Sequence, residues 1–161
     1  NTTITFYNNS DRFDYRKPDE LVDVSSGVIC CPNNFQFESP LPEGIIRITN
    51  MANFDLWNRL GEEEYKAQKA GWLEATLKEV VKFVPDFRDS IIFTDIFTPK
   101  TIHKFTGHIN GAVYGTPNKI KTGRTHLDNL FICGTDQGFL GIVGAMLSGI
   151  SMANLHVLQK T

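Results

Sequence analysis

Polar and apolar positions alternate from Thr2 to Tyr7, in a run of β-branched and aromatic residues that predicts a strand. Asn8-Asn9-Ser10-Asp11 is a turn signal. Val22 to Cys31 predicts a second strand, bent at Gly27 and ended by Pro32-Asn33-Asn34. A stiff loop from Ser39 to Gly44 leads to a short apolar strand, Ile45 to Thr49, and Asn53 to Leu60 reads as a helical turn. The pattern then changes period. Tyr65, Trp72, Leu73, Leu77, Val80, Val81 and Val84 recur at helical spacing and predict a helix over Glu62–Val84. Glu62, Glu63 and Glu64 favour its positive N-terminus, and Pro85 stops it.

Ser90 to Phe97 predicts another strand, and Thr98-Pro99 opens a short helix with Thr98 as N-cap. Gly107 to Gly123 is a loop rich in glycine, proline and lysine. Leu130 to Gly134 predicts a buried strand, Thr135-Asp136-Gln137-Gly138 a turn, and Gly141 to Leu158 a helix crowded with small residues. An interior glycine costs a helix about 1 kcal/mol relative to alanine. Gly141, Gly144 and Gly149, with Gly138 just ahead of them, therefore imply that something lies close to this backbone. Gly144, Ser148 and Ser151 form the ridge that would admit it. The expected architecture is α+β: an antiparallel sheet with Glu62–Val84 packed on one face, and a separate terminal strand and helix. The expected division is 1–97 and 98–161.

Composition narrows the function. The chain has 161 residues, 41% hydrophobic and 21% charged, enough for a core and typical of a soluble globular protein. A net charge of -2 with scattered Lys and Arg shows no nucleic-acid footprint. Three cysteines, two of them adjacent, make a poor disulfide framework and suggest a reducing compartment. No signal peptide opens the chain, and the start at Asn1 in apparent mid-strand suggests a piece of something longer. The charge-free stretch from Gln137 to Gln159 is long enough to cross a bilayer, but Ser148, Ser151, Asn154 and His156 dilute its apolarity. The expected location is cytoplasmic or peripheral to a membrane.

The chemistry-bearing residues are few. His103, His108, His126 and His156 lack metal-ligand spacing and read as surface or capping residues. Cys133 reads as a small core residue rather than a nucleophile. There is no GxSxG, HExxH or phosphate-binding loop. Asp136 has two readings: an acceptor for ligand hydroxyls, or a cap for the following helix. The glycine turn likewise suits either an anion at the helix N-terminus or tight packing without a ligand. Three glycines and a tyrosine in Gly107–Gly115 suit either a mobile surface loop or, given apolar Ala112, Val113 and Tyr114, one that docks closely.

Leu130-Phe131-Ile132-Cys133-Gly134-Thr135-Asp136, followed by Gly141-Ile142-Val143-Gly144-Ala145 and Ser148-Gly149, resembles the C-terminal flavin-contact segment of the phytoene desaturase, carotenoid isomerase and retinol saturase family. Thr98-Pro99 with Gly111-Ala112-Val113-Tyr114-Gly115 is similar to the stretch preceding that segment. The resemblance implies an FAD-dependent oxidoreductase acting on a long apolar polyene or isoprenoid lipid. It implies that Gly134, Thr135 and Asp136 lie by the pyrophosphate and ribityl chain, that Gly141, Ile142 and Val143 lie by the flavin ring, and that Gly138 belongs to the same cofactor contact. It nominates no acid, base or other catalytic residue. The family's GxGxxG unit is absent, so the remaining FAD-binding part would come from the same gene or a partner chain. Gln137-Gly138 stands where many desaturases have Pro-Gly, which leaves desaturation, saturation and isomerisation open. Two other readings remain: an interaction module whose small-residue helix packs on a partner protein, and another flavin branch such as an amine oxidase. No aromatic cage for the latter is visible.

Overall fold

The computed structural model describes residues 2–12 and 16–159, so the reading of Asn1 lies outside the described residues. The chain forms two compact units, Asn1–Thr101 and Ile102–Thr161.

The first unit holds a three-stranded antiparallel sheet: β1 (Ile4–Asn8), β2 (Val22–Cys30) and β3 (Arg47–Ala52), in that order. Ile29 of β2 faces Thr5 on one side and Ile48 on the other. The β2–β3 register shifts between Asp23 and Val28. There Asp23 folds back on its own strand, accepting from the Ser25 amide at 2.9 Å, the Ser25 hydroxyl at 2.6 Å and the Ser26 hydroxyl at 2.8 Å. That irregularity falls beside Gly27, while the β1–β2 register runs unbroken through Tyr7 opposite Gly27. Asn53 caps α1 (Phe54–Arg59) through the Leu56 amide. Trp57 of α1 is buried and donates its Nε1–H to Leu21 O at 2.9 Å.

Helix α2 (Glu62–Val80) starts where the acidic run predicts it. It buries Leu77 and Val80, and the core joins Val80 to Tyr7 and Ile29, with Cys31, Ile48, Val84 and Phe87 packed around them. The helix ends before Val84. Lys82 and Phe83 close tighter i→i+3 bonds to Glu79 and Val80, which lets the Phe83 ring tilt against Tyr7 at 4.8 Å.

Residues 90–97 do not form the expected strand. A single 3-10 turn (Arg88–Ser90) precedes an irregular segment with Ile92 and Phe93 exposed. The run has strand-like residues but no ladder partner among the described residues, and pairing is what stabilises a strand. Thr98 does cap α3 (Pro99–Thr106), its Oγ1 accepting from the Thr101 amide at 3.2 Å. Tyr65 of α2 places its hydroxyl 2.8 Å from both Thr98 Oγ1 and Thr101 Oγ1.

The second unit contains a long loop, α4 (Gly141–Ala153) and a π-helical turn, Asn154–Leu158, that continues it. The expected strand Leu130–Gly134 is reduced to one bridge, Phe131 opposite Arg124. Ile132 N–H donates to Gly123 O at 2.7 Å, so the segment folds back on the loop as a short hairpin. Together the elements are α+β, with one antiparallel sheet in the first unit.

Candidate functional site

Two glycine segments of the second unit meet. Residues 114–121 run along the turn at 134–138 and are tied to it repeatedly. Lys119 Nζ donates to Tyr114 O at 2.5 Å and to Thr135 O at 2.9 Å. Ile120 N–H donates to Asp136 O at 2.9 Å. Asp136 Oδ1 accepts from the Thr116 amide at 2.7 Å. Gly115 makes this approach possible. Its φ is +72°, and a Cβ there would run into the Asp136 carboxylate and Thr135 Oγ1. Thus Asp136 uses one carboxylate oxygen to hold the loop. It does not cap the following helix, whose N-cap is Leu140 with no side-chain hydrogen bond.

A buried relay ties the turn to α4. Gly134 N–H donates to Ser148 Oγ at 2.8 Å, and Ser148 Oγ–H donates to Gln137 Oε1 at 2.8 Å. Gln137 Nε2 then donates to Lys121 O at 2.6 Å. Ser148 is fully enclosed and Gln137 nearly so. Lower on the same helix face, Met152 packs beside Gly123, and His156 stacks on Phe131 at 4.1 Å while its Nε2 lies 2.7 Å from Thr122 O. His156 is therefore buried, not a surface or capping histidine. Cys133, expected inside, is exposed.

The residues singled out from sequence lie in one continuous stretch. Gly134 has a φ of +88° and Gly141 of +76°, and neither would bring a Cβ within 4 Å of a neighbour. These glycines serve backbone shape, not close packing. Gly138 likewise faces open space. Of the four glycines from which a close approach is inferred, Gly144 shows it, against the Phe139 backbone, whereas Gly149, like Gly138 and Gly141, faces open space. Ile142 is 92% and Val143 64% exposed. No acid stands in the first turn of α4, and no side chain caps it. Among the described residues, the amides of Thr135 and Asp136 also lack a hydrogen-bond acceptor.

The helix is turned inside out. Its small positions, Gly144 and Ser148, pack inward, while Ile142, Met146 and Ile150 are all more than half exposed. Gly141–Leu158 is 18 residues with a mean hydropathy of 1.5, long and apolar enough to cross a membrane, and 17% of it is buried. Sequence reasoning missed Lys119, Thr116 and the partners of Ser148. Lys119 sits in a loop with no periodicity, so nothing in its spacing marks it. Ser148 was visible only as a small residue on a ridge.

No family model and no solved structure matches this chain. Among curated proteins, it is 27% identical over 128 residues to prolycopene isomerase 2, chloroplastic, and to prolycopene isomerase 1, chloroplastic, both of an Oncidium hybrid cultivar. Each match takes in 70% of this chain, and the chain spans about a fifth (21%) of the length of these relatives, to which it is similar.

Proposed function

We propose that the chain is the C-terminal portion of an FAD-dependent enzyme acting on a long apolar polyene or isoprenoid lipid. One observation carries the reading. The stretch that resembles a flavin contact folds into a turn with unengaged amides, followed by an uncapped, acid-free helix start. The similarity to prolycopene isomerases supports it and favours isomerisation over desaturation or saturation.

The donor set fits the group. Amides at Thr135 and Asp136 and at the first turn of α4 suit the pyrophosphate and the electron-rich edge of a flavin, which the helix dipole also favours. Gly134, Thr135, Asp136 and Gly138 would hold the phosphate and ribityl side. Gly141, Ile142 and Val143 would lie against the ring. When bound, FAD would supply the two-electron chemistry. The chain's own part is to hold and orient. Asp136 keeps Oδ2 for a ligand hydroxyl while Oδ1 anchors the loop. Lys119 spends two of its three donors on carbonyls and adds positive charge beside the turn. The exposed apolar residues of α4 would exclude water once covered by the rest of the FAD-binding part, supplied by the same gene or by a partner chain. Peripheral membrane contact suits both that face and the lipophilic substrate.

The test is the complete gene product. It is expected to purify yellow, with flavin absorbance. A protein that stays colourless after FAD is added removes the proposal. A second reading is favoured by the same exposed face: α4 packs on a partner protein and no flavin is used. On that view Asp136→Ala and Ile142→Ser would change partner capture and leave no flavin signal to change.

A further inference from the structure

The Gly134–Ser148–Gln137–Lys121 relay runs in one direction only. The Ser148 hydroxyl has one proton. Lys121 O can only accept, so Gln137 turns Nε2 toward it and Oε1 toward Ser148. The Ser148 proton therefore goes to Gln137 Oε1 while Ser148 Oγ accepts from Gly134 N–H. Reversing any one step would leave a buried donor facing a donor, or an acceptor facing an acceptor. The relay fixes both ends of the turn, Gly134 at its start and Gln137 near its end, from a helix position two turns beyond the first residue of α4. It also fixes the loop strand that Lys119 and Asp136 clasp.

We infer that Ser148 and Gln137 are positioning residues that aim the amides of Thr135 and Asp136 outward. This rests on the reading of that turn as the cofactor contact. Neither side chain needs to touch the ligand. Ser148 holds the Cys133–Gly134 peptide by the Gly134 N–H. Gln137 holds the loop against the far side of the turn. With both in place, the intervening N–H groups have no inward acceptor and are left for an anion. An ionised glutamate would not replace Gln137, because its second oxygen would face Lys121 O with no proton between them. Leucine would fill the space and donate nothing.

The experiment uses the complete protein with Ser148→Ala, Gln137→Leu and the double variant. Three quantities are read: FAD dissociation constant, shape of the bound flavin absorption band, and hydrogen exchange of the Gly134 amide without FAD. Loss of one buried bond predicts about a tenfold weaker FAD affinity in each single variant. The double variant should be no weaker than the poorer single, because the two act in series. The band shape should shift, and Gly134 should exchange faster in Ser148→Ala. Wild-type affinity and band shape in Ser148→Ala would overturn the inference, as would losses that multiply in the double variant. Should Ser148→Ala fail to fold, Gln137→Leu alone decides by the same affinity and band shape. If the wild-type protein binds no FAD, the cofactor reading falls, and the relay is judged by Gly134 exchange alone, unchanged exchange refuting it.

Discussion

Asp23 shows what one carboxylate does in this fold. Partial burial pushes its pKa up, but hydrogen bonds from Ser25 and Ser26 outweigh that and bring it below the ordinary 3.8. A depressed folded value means that the stabilisation is complete above the unfolded pKa. It is lost as pH falls through the folded one. Asp23→Asn should therefore cost stability near neutral pH and little at the acid end. Circular dichroism melts from about pH 6 to about pH 2 check this, with the gap between variant and parent closing toward the lower end. A gap that widens in acid contradicts the assignment. Two glycines give a second residue-scale prediction with opposite signs. Gly115→Ala forces a left-handed φ on a side chain, worth about 1–2 kcal/mol, and adds the clash with Asp136. Gly149→Ala enters open space within a helix and should gain roughly 0.5–1 kcal/mol. Urea denaturation of both variants beside the parent tests the pair. Composition alone assigns these two glycines the same cost; the left-handed φ of Gly115 and the loop's approach to Asp136 separate them.

At the scale of elements, strong local signals survived and weak ones did not. The Glu62 start of α2 and the Thr98 cap of α3 were readable because first-turn acids and N-cap hydroxyls act within a few residues. Thr98→Ala should cost about 1 kcal/mol and Thr98→Ser far less, measured as a shift in denaturation midpoint. The Tyr65 hydroxyl beside Thr98 places that loss at the junction of α2 and α3. The irregular 91–98 segment and the single-bridge Leu130–Gly134 segment were not readable. Both have the residues of a strand, but a strand also requires an adjacent edge, and sequence does not say where one is. The terminal turn was legible as a turn, yet its anchors Lys119 and Thr116 were not. They act through backbone carbonyls and amides, which leave no pattern of residue types.

For the whole molecule, the sheet and its helix were foreseen because their apolar periods agree with a single core around Tyr7, Ile29 and Val80. The inward packing of the small positions of α4 was legible as a ridge, but the exposure of its large residues was not, since hydropathy ranks them as the interior ones. Exposed Ile142, Met146 and Ile150 should make the 161-residue chain associate as its concentration rises. Replacing the three with serine should return it toward a monomer in light-scattering sizing. An unaltered chain that stays monomeric throughout would mean that its own residues cover this face in solution.

The reversed orientation of α4 also inverts its mutational tolerance. In a saturation scan scored on fold stability of this chain alone, the bulky positions 142, 146 and 150 should accept almost any replacement, while the small neighbours at 144 and 148 should accept almost none. Scored instead on the performance of the complete protein, the bulky positions should become sensitive too. The difference between the two maps would outline, residue by residue, whatever surface the helix was shaped to meet.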